Sequence, residues 1–534
     1  MNRIPESREV MAKLLVGISI VSAAITHGYH LFLYPLYTTD EGIYMQQAWS
    51  VLREARLSPY TYFYDHAPAG WLVIAAWIEI LPGQFQTFGN AINTGRVLML
   101  LLHLVNVYFL FRITEKLTGS LLAALFACFL FSFSPLAVFY QRKVLLDNVM
   151  VFWLLLSLYL VLRGDRRVMT AMLAGLAFGL AVITKENAIF FAPALAFLLF
   201  RQVHDEANRR FATTFWNLAA FGPASVYTVY ASLKNELVPS HLNFNLNNPP
   251  ADHVALLYTV WWQLHRSQGT IFDPKSLFWQ FSLGTWLPKD RFILIGGGLA
   301  MLAGLYVGLR RRERHFGLLV ASLLTASYAV YLVRGSVMLD FYVVPLLPFL
   351  AISIAAVLAL LLRRVPVLIK APLFLALMVA LALPAGGGYV QARNDRGKVA
   401  WNDLYEVPLT PIQTDQVAYI RHSIPPDSRI IMDDDIWADL HDRKPYYPYA
   451  HSHWKAAGDP DVRDKLFHKD WRNVDYIVMS NKMRLAMQQN NGDGNESWIL
   501  DAVDNHSTRV WDEKHGDVEV SVLKVNNAED QGTP

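Results

Sequence analysis

A disulfide framework is excluded from the outset, because this chain of 534 residues contains one cysteine. Cys128 lies inside an apolar block, where it reads as a small core residue rather than a redox group. Charge is scarce too. Asp, Glu, Lys and Arg make up 17% of the chain, whereas soluble domains carry about 25%. The net charge of +3 is too small to attract nucleic acid, so no such partner is expected. Internal repeats and low-complexity tracts are absent, which removes solenoids and disordered arrays. A small-residue cleavage site is missing as well. Arg3, Arg8 and Lys13 lead into an apolar run, which therefore reads as a retained anchor and not a removed signal.

Hydrophobic side chains are what the chain has in excess: 54% of its residues, with a mean hydropathy of +0.25. They come in blocks up to about residue 390 and then stop. Blocks of roughly 18–24 residues are long enough to cross a bilayer as helices. Eleven such stretches are placed at 12–34, 92–111, 119–140, 147–162, 169–184, 187–200, 211–233, 292–309, 316–333, 341–362 and 371–391. The expected fold class is therefore a mainly α, polytopic membrane protein of about eleven transmembrane helices. A transmembrane catalytic domain covers 1–391, and an extracytoplasmic soluble α/β domain covers 392–534. In that tail, Arg429-Ile-Ile-Met432, Asp475-Tyr-Ile-Val-Met479 and Val518-Glu-Val-Ser-Val-Leu523 read as strands. Asp434–His441 and Asn481–Gln489 read as helices.

Orientation follows from Lys and Arg. With the N-terminus inside, the inner segments hold 18 of them in about 50 residues, against 11 in about 130 residues of outer loops. An odd number of spans then places the tail outside. The expected location is the cytoplasmic (inner) membrane, with a cytoplasmic N-terminus. The spans at 169–184 and 187–200 are separated only by Thr184-Lys185-Glu186. Were they one re-entrant element, the parity would flip. The first outer loop, 35–91, carries two juxtamembrane helices, one amphipathic from Asp40 to Arg56 and one short and apolar from Pro68 to Leu81.

Ionisable residues gather at the outer face of this topology. Asp40-Glu41 opens the first outer loop; Asp65-His66, Arg96, Arg142, Asp147 and Lys185 fall at the same face. A solvated loop acid explains one of these, and a snorkelling cation another. Several brought to one face indicate a site. Asp147, followed by Asn148, also suits a helix N-terminal cap. In the tail, His451-Ser-His453 reads as a surface loop in preference to a metal pair.

At Asp40-Glu41-Gly42 the chain resembles the GT-C membrane glycosyltransferases, in the branch of protein O-mannosyltransferases and aminoarabinose–lipid A transferases. Asp65-His66-Ala67-Pro68 is similar to that family's second juxtamembrane segment, His-Pro-Pro or Glu-Lys-Pro, with Ala67 departing from it. Arg96 matches an Arg opening the second span. Arg142-Lys-Val-Leu-Leu-Asp147 matches the loop before the fourth. Ile183-Thr184-Lys185 matches Leu-Thr-Lys, although Glu186 stands where Gly often follows. Phe341-Tyr342-Val-Val-Pro345-Leu-Leu-Pro348 resembles the late Tyr-x-x-Pro-x-x-Pro. The likeness covers about residues 12–362.

The resemblance implies hexosyl or pentosyl transfer from a polyprenyl-phosphate-linked sugar donor to an acceptor lipid, glycan or protein, beside membrane lipid. The acceptor proton requires a general base: Asp40 first, Glu41 second. The leaving lipid phosphate requires cations: Arg96, Arg142 and Lys185, with His66. Asp65, Asp147 and Tyr342 are supporting. Asp65 and His66 also suit a divalent metal, but two ligands do not define one, so no cofactor is assigned. The competing function class is a transporter or flippase of lipid-linked sugars. It needs no paired acids, and two related halves are its usual mark; this chain shows none.

Overall fold

The computed structural model describes residues 6–62, 64, 66–163, 168–202, 206–238, 255–265, 270–334, 338–394, 396–490 and 495–526. Its helices begin with α1 (Glu6–Gly28), α2 (Thr39–Glu54), α3 (Ala69–Glu79), α4 (Ala91–Thr118), α5 (Leu121–Phe133), α6 (Pro135–Gln141), α7 (Leu146–Arg163), α8 (Val168–Thr184), α9 (Ala192–Gln202) and α10 (Glu206–Leu233). Further apolar helices run over Gly297–Arg310, Phe316–Val333, Leu347–Leu361 and Val367–Ala382. The chain divides into two compact units. One gathers Met1–Tyr29, Phe63–Gly70 and Met99–Glu406; the other gathers His30–Tyr62, Trp71–Leu98 and Val407–Pro534.

The first unit is helical and multi-spanning. Six described helices are long and apolar enough to cross a membrane, or seven if a bent pair counts as one span. That pair is α5 and α6, which meet at 61° inside the stretch expected to be one span, 119–140. The cause is local. Pro135 lacks an N–H and disfavours helical backbone at the residue before it. Ser134 is accordingly extended in ψ, at 123°, and caps α6. Shorter apolar helices, α3, α8 and Val367–Ala382, fall below the length of a full crossing. The count of eleven crossings is thus not established by length and hydropathy. A short antiparallel pair, β1 (Gln391–Arg393) and β2 (Val399–Trp401), ends this unit.

The second unit is α/β. Its sheet has five strands in the order β4-β3-β5-β7-β6: β3 (Ile430–Met432), β4 (Ala450–Ser452), β5 (Tyr476–Ser480), β6 (Ser507–His515) and β7 (Val518–Val525). β3 pairs parallel to β4 and β5, whereas β7 runs antiparallel to β5 and β6. The three runs expected as strands are β3, β5 and β7. β4 and β6 were not expected. β4 is three residues long inside a polar-aromatic run, and β6 is a charged edge strand, the composition that keeps an edge from pairing elsewhere.

The same unit contains α2, whose start is written in its sequence. Thr38 and Glu41 form a capping box, and Asp40 and Glu41 place negative charge at the positive end of the helix. Gly42 follows because the backbone of Asp434 lies against it. A Cβ there would overlap the Asp434 carbonyl.

Candidate active site

In the second unit, Glu41 meets Arg96 in a closed ion pair. Nε donates to Oε1 at 2.9 Å and Nη2 to Oε2 at 3.0 Å, the two-pronged geometry that a guanidinium makes with a carboxylate. Arg96 also donates to the carbonyls of Leu31 and Leu36, at 3.2 and 3.5 Å, and lies 4.7 Å from the centre of the Tyr37 ring. Both side chains have 0% exposure. Asp40, one residue earlier on α2, is half-buried.

In the first unit, Lys185 meets Asp147 in a second buried pair, with Nζ donating to Oδ2 at 2.5 Å. The ammonium also sits 4.6 and 4.4 Å from the ring centres of Phe341 and Tyr342. Lys185 follows α8 and Asp147 lies in the first turn of α7, so the pair ties two helix ends together. Unlike the first pair, this one borders a cavity of about 440 Å³. Its walls include Tyr64, His66, Lys185, Glu186, Arg334 and Tyr342, and are otherwise mostly apolar. Glu186 bridges two partners: Oε2 is 3.1 Å from His66 Nδ1, and Oε1 accepts the Ala67 N–H at 2.7 Å.

The sequence-derived assignments meet this geometry unevenly. His66, Lys185, Asp147 and Tyr342 come together at or behind one cavity. Asp147 is no simple cap, because its carboxylate takes the Lys185 ammonium. Two cations assigned to the phosphate have protein partners. Arg96 is engaged on Glu41 and two carbonyls. Arg142, 1% exposed, donates to the carbonyls of Thr26 and Leu404, at 2.5 and 3.2 Å, and lies 5.6 Å from the Tyr405 ring. Glu41, the second choice of base, has both carboxylate oxygens on the Arg96 guanidinium. Asp65 lies outside the described residues.

No group of three or more His, Cys, Asp or Glu among the described residues can hold a metal ion. His66 Nδ1 is directed at Glu186, and Asp65, its neighbour in the candidate pair, lies outside the described residues. In the tail, His451 and His453 are not on a surface loop. His451 is 3.1 Å from the Tyr60 hydroxyl, and burial lowers its pKa to about 4. His453 is 5% exposed and pairs with Glu496 at 2.7 Å. Sequence reasoning missed Glu186 and Arg334. The departure of Glu186 from Gly was its only signal, and Arg334 had none beyond its place after an apolar run.

Residues 65–228 match the family model described as dolichyl-phosphate-mannose-protein mannosyltransferase. Comparison with curated proteins by sequence gave no match. Among solved structures, ArnT from Cupriavidus metallidurans bound to undecaprenyl phosphate aligns with a TM-score of 0.58 at 15% identity, over 98% of this chain and 99% of that one. The oligosaccharyltransferase AglB from Archaeoglobus fulgidus, in complex with an inhibitory peptide and a dolichol-phosphate, aligns with a TM-score of 0.56 at 11% identity, over 99% of this chain and 75% of that one. At such identities the likeness is one of fold. Together with the matched segment, it bears out the resemblance that begins at Asp40-Glu41-Gly42.

Proposed function

We propose that this chain, which has the fold of these membrane glycosyltransferases, transfers a sugar from a polyprenyl-phosphate-linked donor to an acceptor at the outer face of the cytoplasmic membrane. The observation that carries the reading is the apolar cavity of about 440 Å³ with Lys185 and His66 in its wall. An apolar pocket with few polar groups suits an amphiphile whose chain is hydrocarbon and whose head is a phosphate. A transporter of lipid-linked sugars is not favoured, since the matching family model and the aligned AglB are named as transferases.

In this mechanism the acceptor hydroxyl or amine gives its proton to Asp40 as its oxygen or nitrogen bonds to the anomeric carbon. The bond from that carbon to the phosphate oxygen breaks, and its electron pair leaves on the phosphate. Lys185 stabilises the charge that develops there. Asp147 behind it, and Tyr342 against it, hold the ammonium in place. Glu41 and Arg96 set the start of α2, and with it the position of Asp40; Arg142 clamps α1 to residues 404–405. The topology that accompanies this reading has eleven crossings, the N-terminus in the cytoplasm and the C-terminal domain outside, supported by the Lys/Arg bias. That domain, 392–534, shapes access of the acceptor to the transmembrane domain, 1–391. The test is transfer of radiolabelled sugar from lipid-linked donors in detergent, with spheroplast proteolysis for the tail. A covalent product is expected; translocation without product would overturn the reading.

A further inference from the structure

The donor cavity holds more positive charge than Lys185 alone, and the balance of that charge is informative. Lys185 is matched by Asp147. His66 faces Glu186, which also accepts the Ala67 N–H. Arg334 is different. It ends the helix Phe316–Val333 and is exposed, with its guanidinium 5.5 and 5.6 Å from the ring centres of Phe190 and Tyr331. Both rings line the same cavity. Among the described residues, no carboxylate forms an ion pair with Arg334.

We propose that Arg334 is a donor-binding residue that takes the phosphate of the lipid-linked sugar, in the role sequence reasoning gave to Arg96 and Arg142. The inference rests on the reading of the cavity as the donor site. Stacking on two rings restrains the guanidinium and leaves its N–H edge for an oxyanion, a geometry that lysine does not reproduce. A sugar phosphodiester carries one negative charge, which one unmatched cation balances. When the sugar departs, the phosphate gains charge and the contact with Arg334 strengthens, so the residue favours the leaving group over the bound donor.

The experiment compares full-length wild type, Arg334→Ala and Arg334→Lys in detergent. Each is titrated with undecaprenyl phosphate and, separately, with the neutral alcohol undecaprenol. Arg334→Ala is expected to bind the phosphate about tenfold or more weakly, the worth of one charge-assisted contact. Its affinity for the alcohol should be unchanged, and Arg334→Lys should recover part of the loss. Equal phosphate affinity in wild type and Arg334→Ala overturns the proposal. So does a parallel loss for phosphate and alcohol, which marks a structural role. A wild type that binds neither lipid overturns the donor reading itself, a different result from either.

Discussion

The two buried ion pairs, Glu41–Arg96 and Asp147–Lys185, look alike as lists of charges and differ in what surrounds them. The first is closed. The Arg96 guanidinium meets two carboxylate oxygens, two carbonyls and a ring. The second is open on one side, because Lys185 borders the cavity while Asp147 backs it. A closed pair holds a structure in register. An open pair keeps a cation desolvated, restrained and within reach of a ligand. Position at a membrane face therefore does not assign a role; the remaining free directions around the charge do.

The sharpest test of that distinction sits beside the closed pair. Asp40→Asn should lower the transfer rate by about 10²–10⁴, the worth of a positioned general base. Asn caps a helix as well as Asp, so a near-parental rate would leave Asp40 with a capping role. Initial rates at saturating donor decide this. Arg96→Ala comes next. It strands the Glu41 carboxylate in the interior and should destabilise the protein by about 3–5 kcal/mol, read as thermal unfolding in detergent. A silent Arg96→Ala would mean the pair is not closed in solution.

For the open pair the expected loss is in ligand binding. Lys185→Met should weaken donor binding by about tenfold or more. Adding Asp147→Asn should restore stability, since no unpaired charge stays buried, without restoring donor affinity. Recovery of both would make this pair as structural as the first.

Two smaller effects probe how α2 is held. Gly42→Ala forces the helix off the Asp434 backbone and should cost about 1–3 kcal/mol, as overpacking does, again read from melting. Asp434 accepts hydrogen bonds from Gln46, Ser452 and Trp454, and burial raises its pKa to about 6 from 3.8. The folded state thus binds this proton more tightly than the unfolded chain. Stability from this group is complete below pH 3.8 and is lost as pH rises through about 6. Hydrogen exchange at β3 across that window should show the decline, and Asp434→Asn should flatten it.

Much of the fold was legible because the signals are local. A run of apolar residues is helical in a membrane because each N–H must find a carbonyl within the same segment. Short apolar runs wrote β3 and β5, alternation wrote β7, and Thr38 with Glu41 set the start of α2. The bend at Ser134-Pro135 was equally local but lay within an apolar block, where hydropathy averages over it. β4 and β6 carried too little apolar pattern to stand out, since one is very short and the other is an edge.

The sequence by itself determined that the chain is a helical membrane protein with an α/β unit, and it singled out Asp40, His66, Asp147 and Lys185 among its charges. Only the tertiary structure decided which of those charges are available. Glu41 and Arg96 are 55 positions apart, and Lys185 and Asp147 are 38 apart. The carbonyls of Thr26 and Leu404 that hold Arg142 come from opposite ends of the helical unit. Charge–charge energy depends on distances of a few ångströms and on desolvation. Neither quantity is a function of position along the chain, so the partners of Arg96 and Arg142, and the place of Arg334 in a cavity wall, came only with the fold.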